Sequence, residues 1–251
     1  MQKLTNILAV ADVNEELPVA IDKAIALSRT FGSTLELLVE MSHDAVIRRI
    51  QALEPDLVVK ASTARHPLRR WAAGDWKLAN ECPVPLLLAR ATLWRRPPRF
   101  AAAVDVADPV DADHARSILQ SAGFLALGMH AGIEILYSEI EADDERLRME
   151  RTVRLAQMVR EFHVGCESIR RLEGRPDVAL SAQVAGRRYD LLVLGAAARS
   201  EALAGLRPGT ASRLAEVADC DVLLAKPPRA RETRREKSAR QHRADELQQL
   251  A

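Results

Sequence analysis

Aromatic residues make up only 4% of the 251-residue chain, and its formal net charge is +1. A surface that stacks bases needs aromatic rings interleaved with basic residues, and the composition argues against one. Near-neutral charge removes any general attraction to nucleic acid or an anionic membrane. There are three cysteines, Cys82, Cys166 and Cys220, far apart and without a C-x-x-C pair. They read as reduced thiols rather than a disulfide or zinc framework. No apolar run approaches the roughly 20 residues of a membrane-spanning helix. The start, "MQKLTNILAVADVNEE", reaches acidic residues too early for a signal peptide. The expectation is a cytoplasmic protein with no membrane partner and no nucleic-acid partner.

What is present is a chain 48% hydrophobic and 28% charged whose apolar segments alternate in period. "NILAVAD" reads as a buried parallel strand, and the positions from Glu15 to Phe31 repeat at helical spacing. "STLELLVEM", "PDLVVKA" and "VPLLLAR" read as strands; "HDAVIRRIQAL" and "DWKLANE" read as helices. Strands alternating with helices imply a parallel sheet covered on both faces. The prolines of "WRRPPRF" (Trp94–Phe100) interrupt the pattern, which then begins again. "FAAAVDVAD" is a strand ending in Asp105, Asp111 to Ala131 a helix and "GIEILYSE" a strand. The helix "EADDERLRMERTVRLAQMVREF" has an acidic first turn that suits the macrodipole. Next come the strand "VGCESIRRLEG", the helix "RPDVALSAQVAGR", the strand "YDLLVLGA", the helix "TASRLAEVA" and the strand "DVLLAKP".

The two halves are copies. "NILAVAD" answers "FAAAVDVAD", "EPDLVVKAS" answers "RYDLLVLGA", and "ECPVPLLLAR" answers "DCDVLLAKP", in the same order. The first copy lacks the long helix and third strand that the second holds between Glu141 and Arg171, so its sheet should be one strand narrower. The last strands of the two copies are too apolar to be left as open edges and should pair. The expected division is a shortened domain over 1–94, a linker at 95–99, a full domain over 100–228 and a charged tail at 229–251.

This order of elements, with its strand ending in Asp, its Gly-initiated loop and the ending "DCDVLLAKP", resembles a tandem universal stress protein. "GDWKLANECPVPLLLAR" is similar to the E-type tandem members. The resemblance implies an α/β fold of two doubly wound, Rossmann-like sheets of strand order 3-2-1-4-5, joined as an internal pseudo-dimer. In nucleotide-binding members the loop reads Gly-x2-Gly-x9-Gly-(Ser/Thr), where glycines admit the phosphates and a helix N-terminus holds them. Here Gly195 takes the first place, Ala198 the second and Pro208 the third, followed by Gly209 and Thr210. Proline has no N–H to offer a phosphate, and the alanine methyl blocks close approach. Asp105 matches the acidic residue that the family places near the adenosine.

The candidate nucleotide-contacting residues are therefore Asp105, Gly195, Gly209 and Thr210, on a loop that has lost part of its pattern. In the first half Ala61 stands where Gly195 does, and the stretch from there to the shared cysteine is four residues shorter. Asp75 reads there as a helix cap whose charge would repel phosphate. The six histidines show no metal-ligand spacing, and no G-x-S-x-G, H-E-x-x-H or intact Walker loop occurs. The reading is a stress-response binding or regulatory module without a catalytic site, acting through a protein partner or self-association. The alternative is an ATP-binding protein with weak hydrolysis in the second half.

Overall fold

The structure is a computed structural model, and it describes residues 3–11, 17–39, 42–61, 73–90, 92–106, 112–139, 144–162, 165–185, 189–196 and 210–226. The first half contributes β1 (Asn6–Ala11), α1 (Leu17–Phe31), β2 (Thr34–Val39), α2 (His43–Leu53), β3 (Leu57–Ala61), α3 (Ala73–Glu81) and β4 (Leu86–Ala89). The second contributes β5 (Arg99–Ala103), α4 (Ala112–Met129), β6 (Gly132–Glu139), α5 (Glu145–Glu161), β7 (Cys166–Glu173), α6 (Pro176–Ala185), β8 (Leu191–Gly195), α7 (Thr210–Val217) and β9 (Asp221–Ala225).

The nine described strands form one sheet of order β2-β1-β3-β4-β9-β8-β5-β6-β7. The second half runs β7-β6-β5-β8-β9, the expected 3-2-1-4-5 order. The first runs β2-β1-β3-β4, the same order without its third strand. Within each half neighbouring strands are parallel, as strand–helix–strand crossovers require. Strands buried on both faces need continuous apolar runs, and β4 and β9 are buried at every position. One core gathers Leu27 of α1 with Leu119 and Leu125 of α4 and Leu155 of α5 on one side of the sheet. The other gathers Ile50 of α2, Leu78 of α3, Leu180 of α6 and Leu214 of α7.

The expected pairing of final strands is present. β4 and β9 run antiparallel, with Leu86 opposite Leu224, Leu87 opposite Leu223 and Leu88 opposite Val222. A pseudo-two-fold axis passes between Leu87 and Leu223. Arg90 donates from Nη2 to the Ala215 carbonyl at 3.2 Å, and Lys226 donates from Nζ to the Ala79 carbonyl at 2.7 Å. One constant offset along the chain relates Leu87 to Leu223, Arg90 to Lys226 and Ala79 to Ala215. Each half thus reaches over the seam to the last helix of the other. Across the same axis Phe31 of α1 stacks on Phe124 of α4 at 5.0 Å. Gly128 makes room for that contact, since a Cβ there would stand 2.2 Å from Phe31 Cε1.

A second repeated device explains the aspartate shared by "PDLVV" and "YDLLV". Asp56 accepts from the Thr5 N–H at 2.7 Å and the Asn6 N–H at 3.1 Å, while its own N–H returns to the Asn6 carbonyl. Asp190 accepts from the Arg95 N–H at 3.1 Å and the Arg99 N–H at 2.8 Å, and its N–H returns to the Arg99 carbonyl. In both halves the aspartate directly before the strand beside the first one, β3 or β8, satisfies backbone donors at the entry to the first.

The seam carries one buried ion pair. Asp221 is fully buried and accepts from Lys23 Nζ of α1 at 2.7 Å, from Trp94 Nε1 at 2.7 Å and from the Arg90 N–H at 2.7 Å. The Lys23 ammonium also stands 4.6 Å from the Trp94 ring centre, a cation–π distance. Burial pushes the Asp221 carboxyl up and the Lys23 ammonium down, and each partner's charge opposes the shift. Removing one partner leaves the other charge buried and alone, which costs about 3–5 kcal/mol. Asp221→Ala should therefore lower the midpoint of thermal unfolding, followed by circular dichroism, by on the order of 10 °C. The double substitution Lys23→Met, Asp221→Asn should recover most of that loss. A single variant that melts like the wild type would remove the pair from the seam's energetics.

Candidate functional site

In a doubly wound sheet ligands bind beyond the carboxyl ends of the strands, where the order reverses. In the second half that point lies between β5 and β8, whose register pairs Ala101 with Leu192 and Ala102 with Val193. β8 ends at Gly195 and β5 at Ala103, so Gly195 and Asp105 leave the sheet at the same end of adjacent strands. Asp105 lies two residues beyond the strand rather than at its last position, and it is exposed. α7 begins at Thr210 and leads into β9, the strand beside β8. The fold therefore brings the ends of β5 and β8 together, and α7 connects β8 to β9. Gly209, Ala198 and Pro208 lie outside the described residues, as does the Thr210 side chain.

Gly195 has a packing reason distinct from the one expected. Its backbone is not left-handed; a Cβ there would stand 3.3 Å from Ile118 Cδ1 and 3.8 Å from His114 Cβ, both on α4. The small residue admits α4 to the rim of the crevice. The Ala196 N–H then bonds to the Ala225 carbonyl at 3.0 Å, tying the exit of β8 to the end of β9. Ser117 of α4 donates its hydroxyl to the Lys226 carbonyl, so the same helix secures both strand ends. Beside Asp105, Arg154 of α5 reaches the Val106 carbonyl from Nη1 at 3.4 Å.

The equivalent point of the first half, between β1 and β3, is built differently. Lys60, the residue before Ala61, pairs from Nζ with Asp75 Oδ1 at 2.7 Å, and Asp75 is 1% exposed. Asp75 is thus no N-cap. It lies inside the first turn of α3 and neutralises a lysine from the strand. The sequence shows both residues but not their contact, because the intervening loop hides which way each faces. His114 at the second-half rim carries no sequence signal for a similar reason: metal-ligand spacing does not mark it, and helix packing alone places it there. Among the described residues no three His, Cys, Asp or Glu side chains gather as a metal site, and no helix is long and apolar enough to cross a membrane.

Cys82 and Cys220 are buried before equivalent strands, and Cys166 is half-buried. Burial pushes the Cys220 thiol up to about 12, helped by the neighbouring Asp221 charge. A thiol raised in the folded state lends stability that is complete below its ordinary value of 9.0 and is lost as pH climbs towards 12.

A nine-stranded sheet made of two doubly wound repeats, with the switch point of the complete one between β5 and β8, defines a tandem Rossmann-like α/β fold. The model of the Universal stress protein family matches residues 109–226. A Universal stress protein E homolog from Haemophilus influenzae is 21% identical over 204 residues, spanning 73% of this chain and 66% of that protein, just under two thirds of its length. A putative universal stress protein from Pseudomonas aeruginosa, of known structure, superposes with a TM-score of 0.71 at 21% identity, covering 90% of this chain and 94% of its own. One from Archaeoglobus fulgidus gives 0.56 at 13% identity, over 90% and 87% of the two chains. Residues 109–226 thus match the universal stress protein family, and the chain as a whole is similar in fold to proteins of that family.

The packing at this site sets two measurable outcomes. Gly195→Ala should fold with a loss of no more than about 1 kcal/mol in urea titration, because only the flexible tip of Ile118 must give way. A larger loss would mean that α4 cannot yield. With a thiol reagent at pH 8, Cys166 should react in the folded protein, whereas Cys82 and Cys220 should react only on unfolding. Rapid labelling of Cys220 would contradict its burial.

Proposed function

We propose that the protein is a non-catalytic binding or regulatory module of the stress response, acting in the cytoplasm, whose second-half loop holds nucleotide weakly or not at all. The observation that carries this reading is the loop itself: Ala198 and Pro208 stand where two glycines of the nucleotide-binding pattern belong. Losing two charge-assisted hydrogen bonds at about 1.5–3 kcal/mol each weakens affinity by a few powers of ten. In the first half the Lys60–Asp75 pair supports the reading, since the strand-end lysine already has its counter-charge.

The second reading, an ATP-binding protein with weak hydrolysis, draws on Asp105 and Gly195 leaving adjacent strands together, and on Gly209 and Thr210 keeping backbone N–H groups in the sequence. Calorimetric titration of ATP, with and without magnesium, separates the two. The comparison is between wild type and Gly195→Ala, Asp105→Ala. No binding, or only millimolar binding, is expected for both. Micromolar binding by the wild type that disappears in the variant would establish the second reading.

A further inference from the structure

The shortened first half leaves one edge of the sheet open. β2 ends the sheet where its counterpart β6 is followed by β7. In the second half Leu155, Met158 and Val159 of α5 cover that side, packing with Ile133, Ile135 and Tyr137 of β6. No described element takes their place over β2. Leu35 reaches the core beneath α1, but Leu37 is 48% and Val39 50% exposed on the same face. The Thr34 N–H bonds to the carbonyl of Thr5, just before β1, so the alternating residues Leu35, Leu37 and Val39 turn their backbone groups outward. This edge has apolar side chains and, among the described residues, no strand paired with its outward hydrogen-bonding groups, a combination proteins usually suppress.

We propose that the edge pairs with a second copy of this chain, β2 against β2, antiparallel about a two-fold axis perpendicular to the sheet. The chain already joins its own halves by that operation at β4 and β9, with α1 and α4 remaining on one face. Charge selects the register. Residues directly opposite share a face, so the axis must fall on a residue. Centring it on Glu36 sets two carboxylates face to face, which is unfavourable. Centring it on Leu37 places Leu37 opposite the partner's Leu37, Leu35 opposite the partner's Val39, and Glu36 opposite the partner's Leu38. Each Glu36 keeps its own Arg49, 2.5 Å away. The assembly closes as a dimer because the other edge, β7, exposes Glu167, Arg171 and Glu173 beside Ile169. Six residues span only about 20 Å. The buried area therefore falls short of the roughly 1,200–2,000 Å² of a stable interface, and the dimer is weak.

The test is sedimentation of the full chain over about a hundredfold range of concentration. The expected result is a mass moving from monomer towards dimer. Leu37→Lys, Val39→Lys should shift the midpoint at least about tenfold at unchanged melting temperature. Ile169→Lys on the opposite edge should leave it unchanged. Because Leu37 lies on the axis and is half exposed, Leu37→Cys tests the contact without adding charge. It should cross-link to itself on mild oxidation, since paired strand positions stand within disulfide reach, while wild type and Leu35→Cys should not. Three results would overturn the proposal. They are a chain that stays monomeric throughout, a dimer that survives the double lysine variant or is lost with Ile169→Lys, and a Leu37→Cys variant that dimerises but stays unlinked.

Discussion

The antiparallel pair β4–β9 is the constraint on which the structure turns. Each half ends in an apolar strand that would be an open edge if its half stood alone. Pairing them closes both edges at once and makes one sheet from two repeats. The register then fixes much else. With Leu87 against Leu223, Arg90 meets the end of one half's last helix and Lys226 the end of the other's. α1 and α4 are brought side by side, and Phe31 finds Phe124 in the notch left by Gly128.

The symmetry is broken where the polar chemistry is concentrated. Asp221 follows Cys220, whereas Pro83 follows Cys82. Only one side of the seam can hold a buried carboxylate, and it is answered by Lys23 from the other half and by Trp94 from the connection between them. An apolar seam of the same shape would be at least as stable, since desolvating two charges is costly. What the ion pair adds is position: Asp221 takes its donors from α1, from the exit of β4 and from the chain leading to β5. Asp190 binds two further N–H groups of that chain, at Arg95 and Arg99. The proline-rich stretch between the halves is thereby held at three points, although its sequence suggests a plain spacer.

Periodicity reveals the strands and helices, the repeat and the missing third strand, because buried parallel strands must be apolar and their helices amphipathic. The antiparallel seam is legible for the same reason. The contacts that depend on chain reversal are not. Lys23 and Asp221 are 198 positions apart, and nothing near either residue signals the other. Asp75 reads as a cap because the local pattern Gly-Asp before a helix favours one; its real partner, Lys60, comes from the strand it packs against. At the second-half switch point the sequence places Gly195 at the end of its strand, but β5 ends at Ala103, two residues before Asp105. The sequence does not show that Gly195 serves the approach of α4, because that depends on where Ile118 falls.

The same shortening accounts for both ends of the first half. Without a third strand, the connection after β2 must return directly over the sheet, so α2 crosses to the side opposite α1 and the cover over Leu37 and Val39 is lost. At the other end the stretch from β3 to β4 is also abbreviated, and the space beside its strand ends is filled by Lys60 and Asp75. A half-buried lysine favours a counter-charge, and here the buried Asp75 carboxylate supplies it. The half whose strand-end lysine is paired internally is also the half that ends the sheet at β2. In the molecule it completes the sheet and seats Asp221 through Lys23, while the switch point of the second half lies between β5 and β8.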